Sequence, residues 1–590
     1  MGPAAHSSSI ALRTQSDFVG DREALRTASS NLTEKSASSP GAARAERVAP
    51  IVLVLASLLW LPQAALLAMG VGGIVAGSGM TNIYWLVVGV VVIGLVRAVL
   101  DAFGSRLAFR AARAVLSKKR DDAVTALAQR SPLDMERPAS GFAASVLAEQ
   151  AEAIVPFLSR FRPARLKATI VPIAIMLCVL PLSWAAAIVL LVSAPLIPLF
   201  MALIGWRAKA ASEKQLVEMG GMNAFLLDRL RGLATIRSLD AVDLIAHRLR
   251  DNAESLRVRT MAVLRIAFLS SAVLELFAAL GVAMVAVYIG FHLLGQLNFG
   301  AWGGRLSLTE GLFILLLAPA FFEPLRELSS VWHDRAAGEA AMEALDKLSD
   351  DGVVMLGAGK GDRYALPPQA AVPGVNVEDL TFHHRGNGLL VFDRFNLDVL
   401  PAEHIAVLGA SGSGKSTLLA LIAGLTSCET GRIAIGDIPL TAINAAELLT
   451  GIAWVGQKPH IFAGTVSDNV ALGRPEIGSR EVGTALRKAA LQDVANAHGI
   501  APVGEGGSGL SGGEILRLAL ARAAANPDAG LILADEPTAH LDTTTANQIM
   551  DSLLTIAAGK TLIVATHDPV LASRMDRIVL LSPRTSQEGS

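Results

Sequence analysis

The 590-residue sequence predicts a six-span α-helical membrane domain followed by a soluble α/β domain. Three observations carry that expectation. Charged residues make up 17% of the chain and hydrophobic ones 52%, against roughly 25% charged in an average soluble protein. The deficit is concentrated in six apolar runs, long enough to cross about 30 Å of hydrocarbon. Beyond residue 375, short β-rich runs alternate with helical ones, the pattern of a parallel sheet with crossover helices.

Composition excludes several classes at once. Lys+Arg 51 against Asp+Glu 52 leaves a net charge of -1, so no global basic field points to a nucleic-acid partner. Cys178 and Cys428 are the only cysteines, which rules out a disulfide scaffold and an all-cysteine metal site. Residues 1–47 are polar and rich in Ser and Ala and read as a disordered tail. They lack the apolar stretch of a secretory signal, and Asp17, Asp21, Glu23 and Glu34 argue against a mitochondrial presequence.

The apolar runs cover 49–77, 83–103, 168–183, 185–205, 266–295 and 306–328. The third and fourth are separated only by Leu182 and Ser183 near Pro181, which makes them a tight hairpin on one side of the bilayer. The segments after spans two and four carry Arg106, Arg110, Arg113, Lys118, Lys119, Arg120, Arg207, Lys209, Lys214, Arg229, Arg231 and Arg237. The loops after spans one, three and five carry Arg305 and little else. By the positive-inside rule both termini and the two long polar segments are expected in the cytoplasm. The polar segments 104–165 and 207–262 keep helical apolar spacing, so the helices are expected to run on past the membrane.

The expected division is a tail over 1–47, a membrane domain over 48–332, a linker over 333–374, a soluble α/β domain over 375–584 and a short tail over 585–590. Residues 331–350 read as an amphipathic helix, and 351–374 are rich in Gly, Ala and Pro.

The chemistry lies in the second domain. The apolar run 405–408 leads into Gly409, Ala410, Ser411, Gly412, Ser413, Gly414, Lys415, Ser416 and Thr417, and then into a helical run. This is a P-loop in its strand–loop–helix setting. Its glycines let backbone N–H groups approach phosphate, and the helix N-terminus adds a favourable dipole. Lys415 is expected on the β- and γ-phosphates of ATP and Ser416 on Mg²⁺. The apolar strand 531–534 ends in Asp535 and Glu536. Asp535 suits the Mg²⁺ side, and Glu536 the group that orients or deprotonates the attacking water. Two acids at a strand end say little alone; after a P-loop they point to nucleotide hydrolysis.

Between these motifs lies Leu510-Ser511-Gly512-Gly513-Glu514, and His567 follows the strand 561–566. Taken together, these motifs make the chain resemble the ATP-binding cassette (ABC) transporter family from about residue 49 to 582. The resemblance implies that Gln457 couples the γ-phosphate and Mg²⁺ site to the membrane domain. It implies that Ser511, Gly512 and Gly513 contact the nucleotide of a partner subunit, that Asp542 belongs to the D-loop and that His567 is the switch histidine. Glu514 stands where the family commonly has Gln, and His384 where it has an adenine-stacking aromatic. Each ATP in this family is shared between one subunit's P-loop and the other's signature, so dimerisation is implied.

The membrane domain narrows the resemblance. LRIAFLSSAVLELF at 264–277, VAVYIGF at 285–291, APLIPLFMAL at 194–203, FLLDRLRG at 225–232 and LAPAFFEPLR at 317–326 are similar to the D-type half of the bacterial CydDC exporters. That likeness implies a heterodimer with a CydC-type half-transporter. It also implies export of a thiol reductant, cysteine or glutathione, in support of cytochrome bd assembly, with haem as a competing or additional cargo. Arg97 and Glu275 lie inside spans two and five, where an ion costs about 2.5–3.5 kcal/mol on insertion scales. Either each snorkels or faces a neighbouring helix, or Arg97, with Arg265 lower down, serves a polar, cytoplasm-open cavity that attracts carboxylates. Neither His292 nor Cys178 is assigned as a haem ligand. A lipid or multidrug exporter and a regulatory membrane ATPase without transport are the alternatives.

Overall fold

The computed structural model describes residues 40–77, 80–195, 229, 232–302, 304–350, 352–358, 372–384, 390–499, 501–504 and 509–581. The expected tail up to residue 39, the first part of the second polar segment, part of span four and the end of the chain lie outside the described residues. The chain divides into two compact units. One holds the chain up to Ala123 together with Ser140–Lys347, the other Val124–Ala139 and everything from Leu348 onward.

The first unit is helical. Its helices include Pro40–Leu58, Trp60–Val75, Met80–Gln129, Arg162–Val179, Val242–Leu293, Leu308–Ser330 and Trp332–Ser349, with a short apolar helix over Trp184–Pro195. Among the described residues four helical stretches are long and apolar enough to cross a membrane: Arg44–Val75, Ile83–Gln129, Glu275–Leu293 and Leu308–Ser349. The helix Arg162–Val179 carries Arg162, Arg165 and Lys167 in its first two turns, which shortens its apolar part. The rest of the expected fourth run, past residue 195, lies outside the described residues.

Packing in this unit relies on small residues that let helices approach closely. A Cβ at Gly281 would lie 2.4 Å from Phe322 Cζ, and one at Gly338 2.2 Å from Phe157 Cβ. Phe321, Phe322, Ile314, Leu317, Ile175 and Leu190 are fully buried in the resulting core. Ser307 opens the helix Leu308–Ser330 with a capping box, its hydroxyl accepting from Glu310 N–H while Glu310 reaches back. At the expected hairpin, buried Ser183 Oγ donates to Gly300 O at 2.8 Å, which ties that turn to the loop after the fifth apolar run. The helix Trp332–Ser349 belongs to this unit up to Lys347, although it fell inside the expected linker. It packs Trp332 edge-on to Phe161, at 5.9 Å between ring centroids.

The second unit is built on two sheets. Strands β6 (Ile452–Val455), β7 (Leu531–Asp535), β8 (Thr561–Thr566), β3 (His404–Gly409) and β9 (Arg577–Leu581) lie parallel in that spatial order. Strands β2 (Leu390–Val399), β1 (Val375–His383), β4 (Thr430–Ile435) and β5 (Ile438–Pro439) form an antiparallel sheet. β7 and β8 are buried along their whole length, so they read as continuous apolar runs rather than alternating ones. The order β7–β8–β3 brings the carboxyl end of β3 beside those of β7 and β8, more than a hundred residues further along the chain. Ligands of open α/β sheets bind at such strand ends.

A short stretch of the first polar segment, Val124–Ala139, also packs in this unit. Ser131 N–H donates to Val353 O at 2.7 Å, and Arg130 pairs with Asp134 at 2.5 Å. Burial alone would raise the Asp134 carboxyl, but Arg130 and the N–H groups of Glu136 and Val353 outweigh it and hold it below the usual range.

Candidate functional site

The loop that follows β3 is shaped by steric necessity at its glycines. Gly412 and Gly414 have φ of 82° and 96°, a region that side-chain-bearing residues avoid. A Cβ at Gly409 would come within 2.6 Å of Leu581 O and of Ser413 Oγ. Ala410 and Ser411 complete the turn. Ser413 Oγ is buried with no partner, a polar atom inside the loop with an unmet hydrogen bond. The helix Lys415–Ile422 starts directly behind this loop, so its N-terminal N–H groups lie at the loop. Lys415 Nζ donates to Gly409 O at 2.9 Å and Ala410 O at 3.0 Å, folded back over a cradle of phosphate-binding shape.

The acidic pair meets this loop from β7. Ser416 Oγ donates to Asp535 Oδ1 at 3.0 Å, bringing together a hydroxyl and a carboxylate suited to one hard cation. Burial pushes the Asp535 carboxyl above its ordinary range and adjacent Glu536 adds to this, while the Ser416 bond and Lys415 oppose it. Such a carboxylate gains from a cation. Glu536 sits at the turn off the strand with φ 49°, a strained left-handed backbone held by its N–H bond to Ala565 O at 2.9 Å. Its Oε1 lies 3.4 Å from Lys415 Nζ, and its Oε2 pairs with His567 Nδ1 at the end of β8. The sequence showed these residues as separate motifs; the Glu536 bridge between Lys415 and His567 was invisible there because only the strand order creates it.

Signature residue Ser511 caps the helix Gly512–Ala524, in a capping box with Glu514. Glu514 Oε2 accepts the Ser511 N–H at 2.6 Å and its hydroxyl at 2.8 Å. The Ser511 N–H holds the Glu514 carboxyl below its usual range against the effect of burial. Glutamate in place of glutamine thus still serves the cap. Gly513 is required for close packing, since a Cβ there would lie 2.6 Å from Thr545 Cγ2. Asp542 caps the next helix, Thr543–Ala557, by accepting from Thr544 and Thr545 N–H groups.

His384 is half-buried after β1, with Nε2 3.5 Å from Thr417 Oγ1 and its ring edge-on to Phe382 at 5.3 Å. It therefore stands at the end of the P-loop, and lines a small cavity with Leu133, Met135, His383 and Cys428. Leu133 and Met135, from the polar segment between spans two and three, carried no sequence signal for this position. Gln457 is exposed just beyond β6, at the same carboxyl edge of the sheet.

In the helical unit, Glu275 is held by Arg326 at 2.9 Å and 3.1 Å, a neighbouring-helix pair. Arg97 lies over the Trp60 ring at 5.3 Å from its centroid. His292 is buried, and its Nε2 accepts the Leu306 N–H at 3.2 Å. That bond occupies one lone pair a haem iron would need. Cys178 packs against the bundle core.

The P-loop, acidic pair and histidine at adjoining strand ends, fused behind membrane-spanning helices, define an ATP-hydrolysing membrane transporter. The pattern of the ABC transporter transmembrane region matches residues 48–315, and that of the ABC transporter ATPase residues 392–539. The chain belongs to the ABC transporter family: it is an integral membrane protein that couples ATP hydrolysis to transport. It is 36% identical over 454 residues, 76% of each chain, to the glutathione/L-cysteine transport system ATP-binding/permease protein CydD of Haemophilus influenzae. It is 34% identical over 465 residues, 78% of each, to CydD of Escherichia coli. CydC of the same Escherichia coli system is 36% identical over 208 residues, 35% of this chain and 36% of that one. A bacterial Atm1-family ABC exporter solved with ATP bound has the same fold, with a TM-score of 0.70 over 92% of this chain and 94% of that one at 21% identity.

Proposed function

We propose that this chain is the D-type half of a heterodimeric thiol-reductant exporter, exporting cysteine or glutathione, with a CydC-type half-transporter as partner. The observation that carries the reading is the likeness to CydD proteins across three quarters of both chains, membrane and ATPase regions together. Its ATPase domain and both termini lie in the cytoplasm, as the basic residues after spans two and four favour.

In the proposed site, Gly409 to Thr417 cradle the phosphates, Lys415 reaches the β- and γ-phosphates, and His384 packs on the adenine. Ser416, Asp535 and Gln457 hold Mg²⁺, which when bound neutralises charge developing on the phosphate oxygens. Lys415 must leave its carbonyl partners and Glu536 to do this, and its departure frees Glu536 to take a proton from water. His567 keeps the Glu536 carboxylate aimed. Ser511, Gly512 and Gly513 complete the site of the partner, so one chain holds two half-sites. Haem stays outside the proposal, since no contact of His292 or Cys178 points to it.

The test is reconstitution of the chain with a CydC-type half in vesicles, following ATP-dependent movement of labelled cysteine and glutathione. Transport of both, or of either alone, is the expected result. Movement of lipid or drug with neither thiol would overturn the reading in favour of a general exporter. ATP turnover with no cargo moved would favour a regulatory ATPase.

A further inference from the structure

The helical unit encloses a cavity of about 700 Å³ between the helices of the first, second, third and sixth apolar runs. Its walls carry two cations, Arg97 and Lys167, and three carboxylates, Asp101, Glu323 and Glu327. Lys167 and Glu327 satisfy each other at 3.3 Å. Arg97, Asp101 and Glu323 have no ion-pair partner among the described residues, and Arg97 has only the face of Trp60. The side-chain oxygen of Gln63, another wall residue, is buried with no hydrogen-bond partner. Arg97 is half-buried and Asp101 and Glu323 are exposed, so all three are accessible to a ligand that brings the complementary charges. Arg265, the other basic residue expected to serve such a cavity, does not line it.

We propose that this cavity is a subsite for the zwitterionic head of an α-amino acid, with Arg97 taking the α-carboxylate and Glu323 the α-ammonium. The proposal rests on the thiol-export reading only for its cargo, because cysteine and the γ-glutamyl end of glutathione both carry that head. A guanidinium fork matches a carboxylate in two-point contact, and Trp60 gives the side chain an apolar wall. The excess of carboxylates makes the walls unfavourable for a dianion without an ammonium, such as the paired propionates of haem.

The assembled transporter in vesicles tests this with cysteine, N-acetylcysteine (no ammonium), cysteamine (no carboxylate) and serine (no thiol) as competitors of labelled cysteine uptake and as ligands in thermal-shift titrations. Wild type should bind cysteine and serine at least roughly tenfold more tightly than either truncated analogue, the worth of one charge-assisted hydrogen bond. Arg97→Ala should erase the preference over cysteamine, and Glu323→Gln the preference over N-acetylcysteine, each leaving the other preference in place. A Mg-ATP thermal shift retained in both variants shows that they are folded; if either is not, the wild-type ranking decides alone. Equal affinity for all four compounds, or variants that keep wild-type discrimination while cysteine is still exported, overturns the subsite. Serine and cysteine bound with the predicted selectivity but no thiol exported overturns the thiol-export reading and leaves the subsite standing.

Discussion

Glu536 and Glu275 are both carboxylates facing a cation, one in the ATPase unit and one in the helical unit, yet their surroundings differ. Glu536 is 9% exposed and touches Lys415, His567 and the backbone of β8 through its own N–H. Glu275 has a single ion-pair partner among the described residues, Arg326, and 64% of its side chain is accessible in the isolated chain. In the ATPase unit, charge is concentrated by strand order and held by several contacts at once, so each group constrains the others. Along the membrane helices, charges are few, and the described ones include a pair across helices and others that line a cavity. Losing a charge should therefore stop chemistry in the first region and shift affinity or stability modestly in the second.

The sharpest way to break that contrast is Glu536→Gln. The amide keeps size and burial but cannot take a proton from water, so turnover at this chain's P-loop site should fall by about 10²–10⁴-fold while ATP still binds. Single-turnover hydrolysis alongside nucleotide retention measures it. Normal turnover in the assembled transporter would mean that hydrolysis runs at the composite site built on the partner's P-loop.

Asp535→Asn should separate function from stability. Burial raises the Asp535 carboxyl, so its stabilising contribution is present below the unfolded-state value of about 3.9 and is lost as pH rises through the folded one. At neutral pH the charged group therefore works against folding of the nucleotide-free chain. The variant should melt higher than wild type without Mg-ATP, by a margin that widens from pH 4 to pH 7, while its Mg²⁺-dependent turnover is lost. A lower melting point at pH 7 would show that the Ser416 bond outweighs burial.

How much of this was visible beforehand depended on range along the chain. The loop 409–417, the pair Asp535–Glu536 and the cap Ser511–Glu514 are local devices, each defined by residues within nine positions, and each reads directly from the sequence. The Glu536 contacts with Lys415 and His567, the Glu275–Arg326 pair and the placement of Leu133 and Met135 beside His384 span from 31 to about 250 positions. Periodicity carries no information at that range. The apolar runs showed where helices lie, and the helical spacing of 104–165 announced that the helix Met80–Gln129 runs on beyond its apolar part, but polar helical spacing gives no signal of where a helix stops. Likewise Arg97 and Glu275 looked alike as intramembrane ions, and only the neighbouring helices distinguish a paired charge from one facing a cavity.

A smaller effect is expected at His384, which borders the P-loop through Thr417 without joining the ion network. His384→Ala should weaken ATP binding roughly three- to tenfold, the value of one aromatic contact at about 0.5–1.5 kcal/mol, and leave saturated turnover nearly intact. Nucleotide titrations at fixed Mg²⁺ check both halves. Unchanged affinity would remove His384 from the adenine site, and a fall in saturated turnover would make it part of the reacting constellation instead.

The mildest test returns to the membrane pair. Glu275→Ala and Arg326→Ala each remove one end of a contact whose side chains are 64% and 37% accessible in the isolated chain, so neither charge is sealed in the protein. In detergent, where water reaches such groups, the double-mutant coupling should be about 1 kcal/mol or less. In a bilayer the same coupling should grow, because an ion stripped of its partner then faces hydrocarbon rather than water. Measuring the cycle in both environments isolates what the membrane adds. Equal coupling in the two would mean that the pair is solvated in place, by a water-filled pathway or by a second protein surface. The contrast between a wired ATPase site and sparsely paired membrane charges would then arise from position in the transporter and not from the solvent around it.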